Sequence, residues 1–214
     1  MMDENQVKTI VAEVLKHIDI RGRIKSGMIP CGVSNRHAHI SQADLETIFG
    51  SGYKLTPMKD LSQPAQFAAE ECIMVIGPKG SLEKVRILGP VRPATQVEVS
   101  TTDCFKLGIK PVVRDSGDTA GTPGCVIVGP KGAVTLKEGV IVASRHLHIS
   151  DKDAEKFGLK DMDRISIKSN GPKSVIFNNV LVRASNKFAL DFHLDTDEAN
   201  AAGIKNGDMV EIIA

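Results

Sequence analysis

Two His-x-His triplets stand in near-identical settings: Ser34-Asn35-Arg36-His37-Ala38-His39-Ile40-Ser41 and, about 110 residues later, Ala143-Ser144-Arg145-His146-Leu147-His148-Ile149-Ser150. Four of the chain's six histidines lie in them. In an extended strand successive side chains alternate between faces, so His37 and His39 project to one side and Ala38 to the other, and His146 and His148 do likewise around Leu147. Each triplet is a two-pronged nitrogen donor, and neutral imidazole is the commonest side-chain ligand for metals such as zinc. One triplet alone reads as a solvated strand face. Two, each preceded by Arg and followed by Ile-Ser, point to a site, either shared between two halves or built twice.

A catalytic zinc keeps three protein ligands and an open position, so further donors are needed. His193, in Asp191-Phe192-His193-Leu194-Asp195, repeats the strand-like alternation. His17 lies beside an apolar helical stripe and reads as a surface or docking residue. Glu98 interrupts Gln96-Val97-Glu98-Val99 and would need a partner if it pointed inward; the plainer reading is the polar face of an edge strand. Arg92, in Gly89-Pro90-Val91-Arg92-Pro93, is either a solvated turn residue or a guanidinium aimed into a cleft, where it suits bidentate capture of phosphate or carboxylate. The turns Gly77-Pro78-Lys79-Gly80 and Gly129-Pro130-Lys131-Gly132 offer amides and a lysine to phosphate but lack Walker spacing and a following helix. Cys31, Cys72, Cys104 and Cys125 form no C-x-x-C pair and read as core residues of a protein in a reducing cytoplasm, with Cys31 near enough to the first triplet to line a site. No Ser-His-Asp or Cys-His arrangement stands out.

These residues need elements to hold them. A chain of 214 residues fits two domains of about 100. Its 27 basic and 26 acidic residues leave a net charge of +1, so no global field recruits nucleic acid or anionic lipid. Trp is absent and Tyr53 is alone, which disfavours stacking on single strands. No apolar run reaches membrane-spanning length. Val7, Ile10, Val11, Val14, Leu15 and Ile18 form one stripe of a helix, capped by Asp3, Glu4 or Asn5 and closed at Gly22. It serves either as an ordinary surface helix or as a docking helix for a partner groove. Beyond it, short β-type runs alternate with Gly-Pro turns: 73–76, 85–88, 96–99, 126–128, 139–143, 165–167, 175–177, 180–182 and 209–213. Ser41 with Asp44, and Ser150 with Asp153, look like helix N-caps with an acid at N3. The expected fold is mainly β: two related β-barrel-like domains capped by short helices, with an N-terminal amphipathic helix. The Gly-, Asp- and Thr-rich stretch at 115–123 sets the expected limits at 1–22, 23–118 and 119–214.

Val33-Ser34-Asn35-Arg36-His37-Ala38-His39, the stretch 63–71, the run 84–90, Ser144-Arg145-His146-Leu147-His148, and His193-Leu194-Asp195-Thr196-Asp197-Glu198-Ala199-Asn200 together resemble the PduL family of phosphate propanoyltransferases (phosphotransacylases). The resemblance runs from about Pro30 to the C-terminus. It implies two zinc ions per chain at a domain junction, with His37 and His39 on one and His146, His148 and His193 on the other. Glu98 is implied as a further ligand, without a fixed choice of metal. It also implies Arg92 beside phosphate, and coenzyme A along Val33, Ser34 and Asn35, with Arg86 and Asn200 as further contacts. The family exchanges an acyl group between coenzyme A and inorganic phosphate, and some members enter bacterial microcompartments through an N-terminal amphipathic helix. Expected partners are therefore acyl-coenzyme A, phosphate and, through that helix, microcompartment shell or core proteins, in a microcompartment or the cytoplasm. A homo-oligomer is compatible with all of this. Two other readings compete: a zinc-dependent thioester hydrolase, and a noncatalytic metal-stabilised scaffold. Within the transferase reading, direct attack by phosphate competes with an acyl-enzyme on Cys31.

Overall fold

The structure, a computed structural model, describes residues 3–213, without the side chains of residues 13 and 16–21, so His17 and Ile18 of the N-terminal stripe lie outside the described side chains. Helix α1 spans Glu4–Arg23. Asp3 is its cap: the Gln6 amide donates to Asp3 Oδ1 at 2.8 Å, and Gln6 Oε1 accepts from the Asp3 amide at 3.0 Å. Val7, Ile10, Val11, Val14 and Leu15 all stay exposed. The helix does not stop at Gly22 as expected. Its last residue, Arg23, is anchored to the body, with Nη1 on the Gly158 carbonyl at 2.6 Å and Nη2 on both Asp163 oxygens at 2.8 Å.

The rest is mainly β with short helices, as expected. The strands are β1 Gly27–Ser34, β2 His37–His39, β3 Pro57–Asp60, β4 Phe67–Ile76, β5 Ser81–Gly89, β6 Gln96–Glu98, β7 Val113–Arg114, β8 Cys125–Val128, β9 Ala133–Leu136, β10 Val140–Ala143, β11 His146–Ile149, β12 Arg164–Lys168, β13 Ile176–Ala184, β14 Asp191–Asp195 and β15 Met209–Ile213. The helices are α2 Gln42–Phe49, α3 Thr101–Leu107, α4 Asp151–Phe157 and α5 Thr196–Ala202. One set of strands closes a six-stranded barrel in the order β1-β14-β11-β13-β12-β15. The other forms a nine-stranded sheet, β7-β10-β6-β2-β5-β4-β8-β9, with β3 on β4. Each has its own core, around Phe192, Leu147 and Ile149 in the barrel and around Ile87, Val97 and Leu82 in the sheet.

Sheet membership does not follow the 118/119 limit. Strands β8 to β10 lie beyond that limit yet pair within the first sheet, whereas β1 pairs with β14 and β15 in the barrel. The strand just before each triplet belongs to the opposite sheet from the triplet itself. The chain crosses through Asn35-Arg36 and again through Ser144-Arg145. A Gly-rich stretch marks a flexible connection, but strand pairing decides which core a segment joins, and pairing is not written in local composition. The runs at 175–177 and 180–182 are one strand, β13. Against β12, Ile165 pairs with Val180 and Ile167 with Phe177, so an extra residue bulges out where Asn179 takes φ 58°.

The duplication is deeper than two triplets. β2 pairs antiparallel with β6, and β11 with β14; each of these four strands runs into a capped helix. Ser41 and Ser150 cap α2 and α4 as expected. Ser100 with Asp103, and Asp195 with Glu198, form full capping boxes on α3 and α5 that the sequence reading missed. The two Gly-Pro-Lys-Gly turns close helix C-termini. The Lys79 amide donates to the Leu107 carbonyl and the Lys131 amide to the Ile48 carbonyl, where a lysine also complements the helix dipole. A Cβ on Gly80 would lie 2.6 Å from the Lys106 carbonyl oxygen, which requires glycine there.

Candidate functional site

Register places the donors. In the β2–β6 pair His37 stands opposite Glu98 and His39 opposite Gln96; in the β11–β14 pair His146 stands opposite His193 and His148 opposite Asp191. Glu98 and His193 are therefore equivalents, each the third donor beside its triplet. The donor atoms of His37, His39 and Glu98, and of His146, His148 and His193, lie within 4.8 Å of one another in each set, a spacing that could hold a metal ion. Glu98 is not on an edge strand: β6 is paired on both sides by β2 and β10, and the residue is 8% exposed.

Hydrogen bonds orient the rings. His37 Nδ1 lies 2.8 Å from the Asn35 carbonyl, and His146 Nδ1 lies 2.8 Å from the Ser144 carbonyl. A carbonyl only accepts, so Nδ1 carries the proton in both rings and the Nε2 lone pair is left free for a metal. His193 is reversed, with Nε2 2.9 Å from Asp191 Oδ2, which leaves Nδ1. Nδ1 of His39 and Nδ1 of His148 are buried without a hydrogen-bond partner among the described residues. A buried unpartnered ring nitrogen costs on the order of 1–3 kcal/mol, and a bound cation would remove that cost. Two orphaned nitrogens in equivalent positions, among imidazole and carboxylate donors suited to zinc, fit a metal in each set.

The charge states suit ligation. Burial, with His37 and Arg92 nearby, pushes His39 down to about 3. Burial and His193 hold His146 at about 4, and burial with His146 and His193 holds His148 at about 2. Burial works to raise the Glu98 carboxyl, but His37, His39, the Ser116 hydroxyl and His146 outweigh it and hold it at about 2. Neutral imidazoles and an ionised carboxylate are the forms a metal binds. Glu98 Oε1 also accepts from Gln96 Nε2 at 2.6 Å and from the Ser116 hydroxyl at 2.7 Å, so Gln96 and Asp191 orient the third donor from equivalent register positions.

Both sets open into one cleft of about 890 Å3 between the barrel and the sheet. Arg92 lines it, its backbone amide held by the Ile40 carbonyl at 2.9 Å. Burial and the Arg183 guanidinium lower the Arg92 pKa while Glu98 supports it. Arg183, beside His148 on β13, adds a second guanidinium to the cleft. Val33, Ser34, Asn35 and Arg86 also line it, although Arg86 already gives Nη1 to the Ala69 and Glu70 carbonyls at 2.7 and 3.2 Å. Asn200 is the exception. It is exposed on α5 and is not among the cleft-lining residues, whereas Asn206 is, with its side-chain oxygen accepting from the Val33 amide at 3.1 Å. Cys31 lines the cleft but is 1% exposed, and burial, Asp191 and Asp208 push its thiol up to about 11. The thiolate is the nucleophile, so no activated sulfur is available there.

Sequence reasoning missed Gln96, Ser116, Asp191, Arg183 and Asn206. Asp191 and Gln96 each sit two residues before a donor, the same-face spacing of a strand, and that signal could have found them.

Residues 30–205 match the family model for phosphate propanoyltransferase. A Thermotoga maritima phosphate propanoyltransferase is 57% identical over 183 residues, covering 85% of this chain and 87% of its own. One from Priestia megaterium is 48% identical over 207 residues, covering 97% and 95%, and one from Lachnoclostridium phytofermentans is 46% identical over 214 residues, covering 99% and 100%.

Proposed function

The chain belongs to the phosphate propanoyltransferase family, and on that premise we propose that it moves a propanoyl group reversibly between coenzyme A and inorganic phosphate at the cleft shared by its two donor sets. It is an acyltransferase. The observation that carries the finer reading is the meeting of two metal-suited sets and two guanidinia in one cleft. We assign one zinc to His37, His39 and Glu98, and a second to His146, His148 and His193. Zinc in these sets supplies Lewis acidity toward a thioester carbonyl and affinity for a thiolate.

The chain's own residues do the rest. Arg92 neutralises and orients phosphate, and Arg183 reinforces the positive field, because two anionic substrates otherwise repel each other. A phosphate oxygen attacks the thioester carbon, a C–O bond forms, the C–S bond breaks, and the sulfur leaves on coenzyme A. No general base is required, since phosphate is already anionic near neutral pH, and the depressed pKa values of His39, His146 and His148 make them poor bases. Val33, Ser34 and Asn35 form the wall along which coenzyme A lies. Lys59, Lys84 and Arg86, lining the same cleft, suit its phosphates. Holding both substrates in one cleft supplies orientation worth several kcal/mol, about 7–11 in the best cases.

Metal analysis of the purified protein tests the assignment: two zinc ions per chain are expected, falling to one in His193→Ala and in Glu98→Ala. Full zinc content in both variants contradicts it. Helix α1, with its apolar face exposed, is assigned as the docking segment for a microcompartment shell or core protein. Removal of residues 1–22 should leave turnover intact and abolish encapsulation; unaltered encapsulation contradicts the assignment.

A further inference from the structure

A buried glutamine from the sheet half holds the segment that supports the barrel half's donor set. Gln63 lies in the loop between β3 and β4, lines the cleft and is 2% exposed. Its carboxamide binds both polar groups of one distant residue: Nε2 donates to the Ala189 carbonyl at 3.1 Å, and Oε1 accepts from the Ala189 amide at 3.2 Å. The side chain thus acts as a one-residue strand partner, reaching from the loop of one sheet to the loop of the other. The Gln63 loop is itself folded tightly, with the Gln66 amide on the Gln63 carbonyl at 3.2 Å and the Leu61 amide on the Gln66 carbonyl at 3.0 Å.

Ala189 stands between two residues that touch the barrel donors. One position before it, Phe188 stacks on His148, with ring centroids 4.3 Å apart and an interplanar angle of 24°. Two positions after it, Asp191 binds His193 Nε2 at 2.9 Å. The Phe188 amide is tied only locally, to the Ser185 carbonyl. His148 Nδ1 has no hydrogen-bond partner among the described residues, so ring contacts orient it: the edges of His146 and His193 at 4.6 and 5.0 Å, and the stack on Phe188.

We propose that Gln63 is a positioning residue for the barrel donor set: by clasping the Ala189 peptide it fixes Phe188 on His148 and Asp191 on His193, and so sets the metal affinity of one site from the opposite half of the molecule. The sheet's own set, His37, His39 and Glu98, does not depend on this clasp, because Asn35, Gln96 and Ser116 orient it. The inference rests on the two-metal reading above. Partners that orient metal ligands typically contribute 10–100-fold in affinity.

The test is Co(II) titration of the metal-free full chain, read by its visible absorption, for wild type, Gln63→Met and Phe188→Leu. Gln63→Met keeps length and removes both hydrogen bonds. One of two cobalt sites should weaken roughly 10–100-fold and the other stay unchanged. Phe188→Leu should weaken the same site, and the double variant should lose less than the sum of the two, because both act through one segment. Equal weakening of both sites, or wild-type affinity at both, overturns the proposal. If wild type takes up fewer than two ions, the two-metal reading fails, and the clasp is then read from imidazole NMR signals of the metal-free protein. Those of His148 and His193 should move in Gln63→Met while those of His37 and His39 stay, and a shift confined to the latter pair overturns it. Should Gln63→Met not fold, Gln63→Glu, which retains the acceptor and loses the donor, takes its place with the same expected split.

Discussion

At the scale of single residues, the site is a balance of burial and charge. Histidines taken out of water resist protonation, and the Glu98 carboxyl, although burial works to raise it, is held below its ordinary value by His37, His39 and the Ser116 hydroxyl. This has a consequence for the metal-free protein. Above pH 6.5, the ordinary histidine value, folded and unfolded chains both hold His39, His146 and His148 neutral, and these groups add no pH dependence. Below it the unfolded chain takes protons that the folded chain refuses until about pH 4 for His146 and about 3 and 2 for His39 and His148. Stability should therefore fall as pH drops through the range below 6.5, by about 1.4 kcal/mol per pH unit for each histidine. Glu98 adds to the loss from its ordinary 4.5 toward about 2, since the stabilisation of its depressed carboxyl disappears there. Urea midpoints of the metal-free protein at pH 7.5 and 5.5 measure this, and equal midpoints contradict it. Arg92 carries a separate prediction. Arg92→Met should raise the KM for phosphate and lower turnover by roughly 10²-fold while leaving bound metal unchanged. The candidate donor histidines stood out because His-x-His in a strand projects both rings to one face. Glu98 was legible only through the family resemblance, since a local reading cannot tell an edge strand from one paired on both sides.

Elements supply the equivalence of the two sets. Arg36, just before the first triplet, forks onto Asp103 at 2.8 and 3.0 Å, and Asp103 belongs to the capping box that opens α3 after Glu98. Arg145 meets Glu198 at 2.5 Å in the corresponding box after His193, and also binds the Asn178 carbonyl. Each crossover is thereby fastened behind its third donor. The caps at Ser41 and Ser150 were visible as Ser followed by an acid at N3. The bulge at Asn179 and the crossovers were not, because both arise from pairing with strands far away in sequence. A fragment of residues 119–214 makes the point testable. It lacks β1, which bridges β14 and β15, and it carries β8 to β10 without their sheet. It should show no cooperative thermal transition by circular dichroism, and a cooperatively folded fragment would contradict the pairing-based division.

For the whole molecule, exchange of β1 and β10 between the barrel and the sheet brings two similar donor sets to a common cleft. The sets differ where it matters: one ends in a carboxylate and the other in a third imidazole, and Arg92 and Arg183 add positive charge between the two bodies. That arrangement suits the proposed reaction, in which a phosphate and a thioester must be held together. Family membership makes the chain an acyltransferase. Free thiol appearing from propanoyl-coenzyme A, followed with and without phosphate in the zinc-loaded protein, tests this most directly. The account predicts release only with phosphate and one acyl phosphate, trapped with hydroxylamine, for each thiol. Thiol release at the same rate without phosphate, yielding free propanoate, would contradict it.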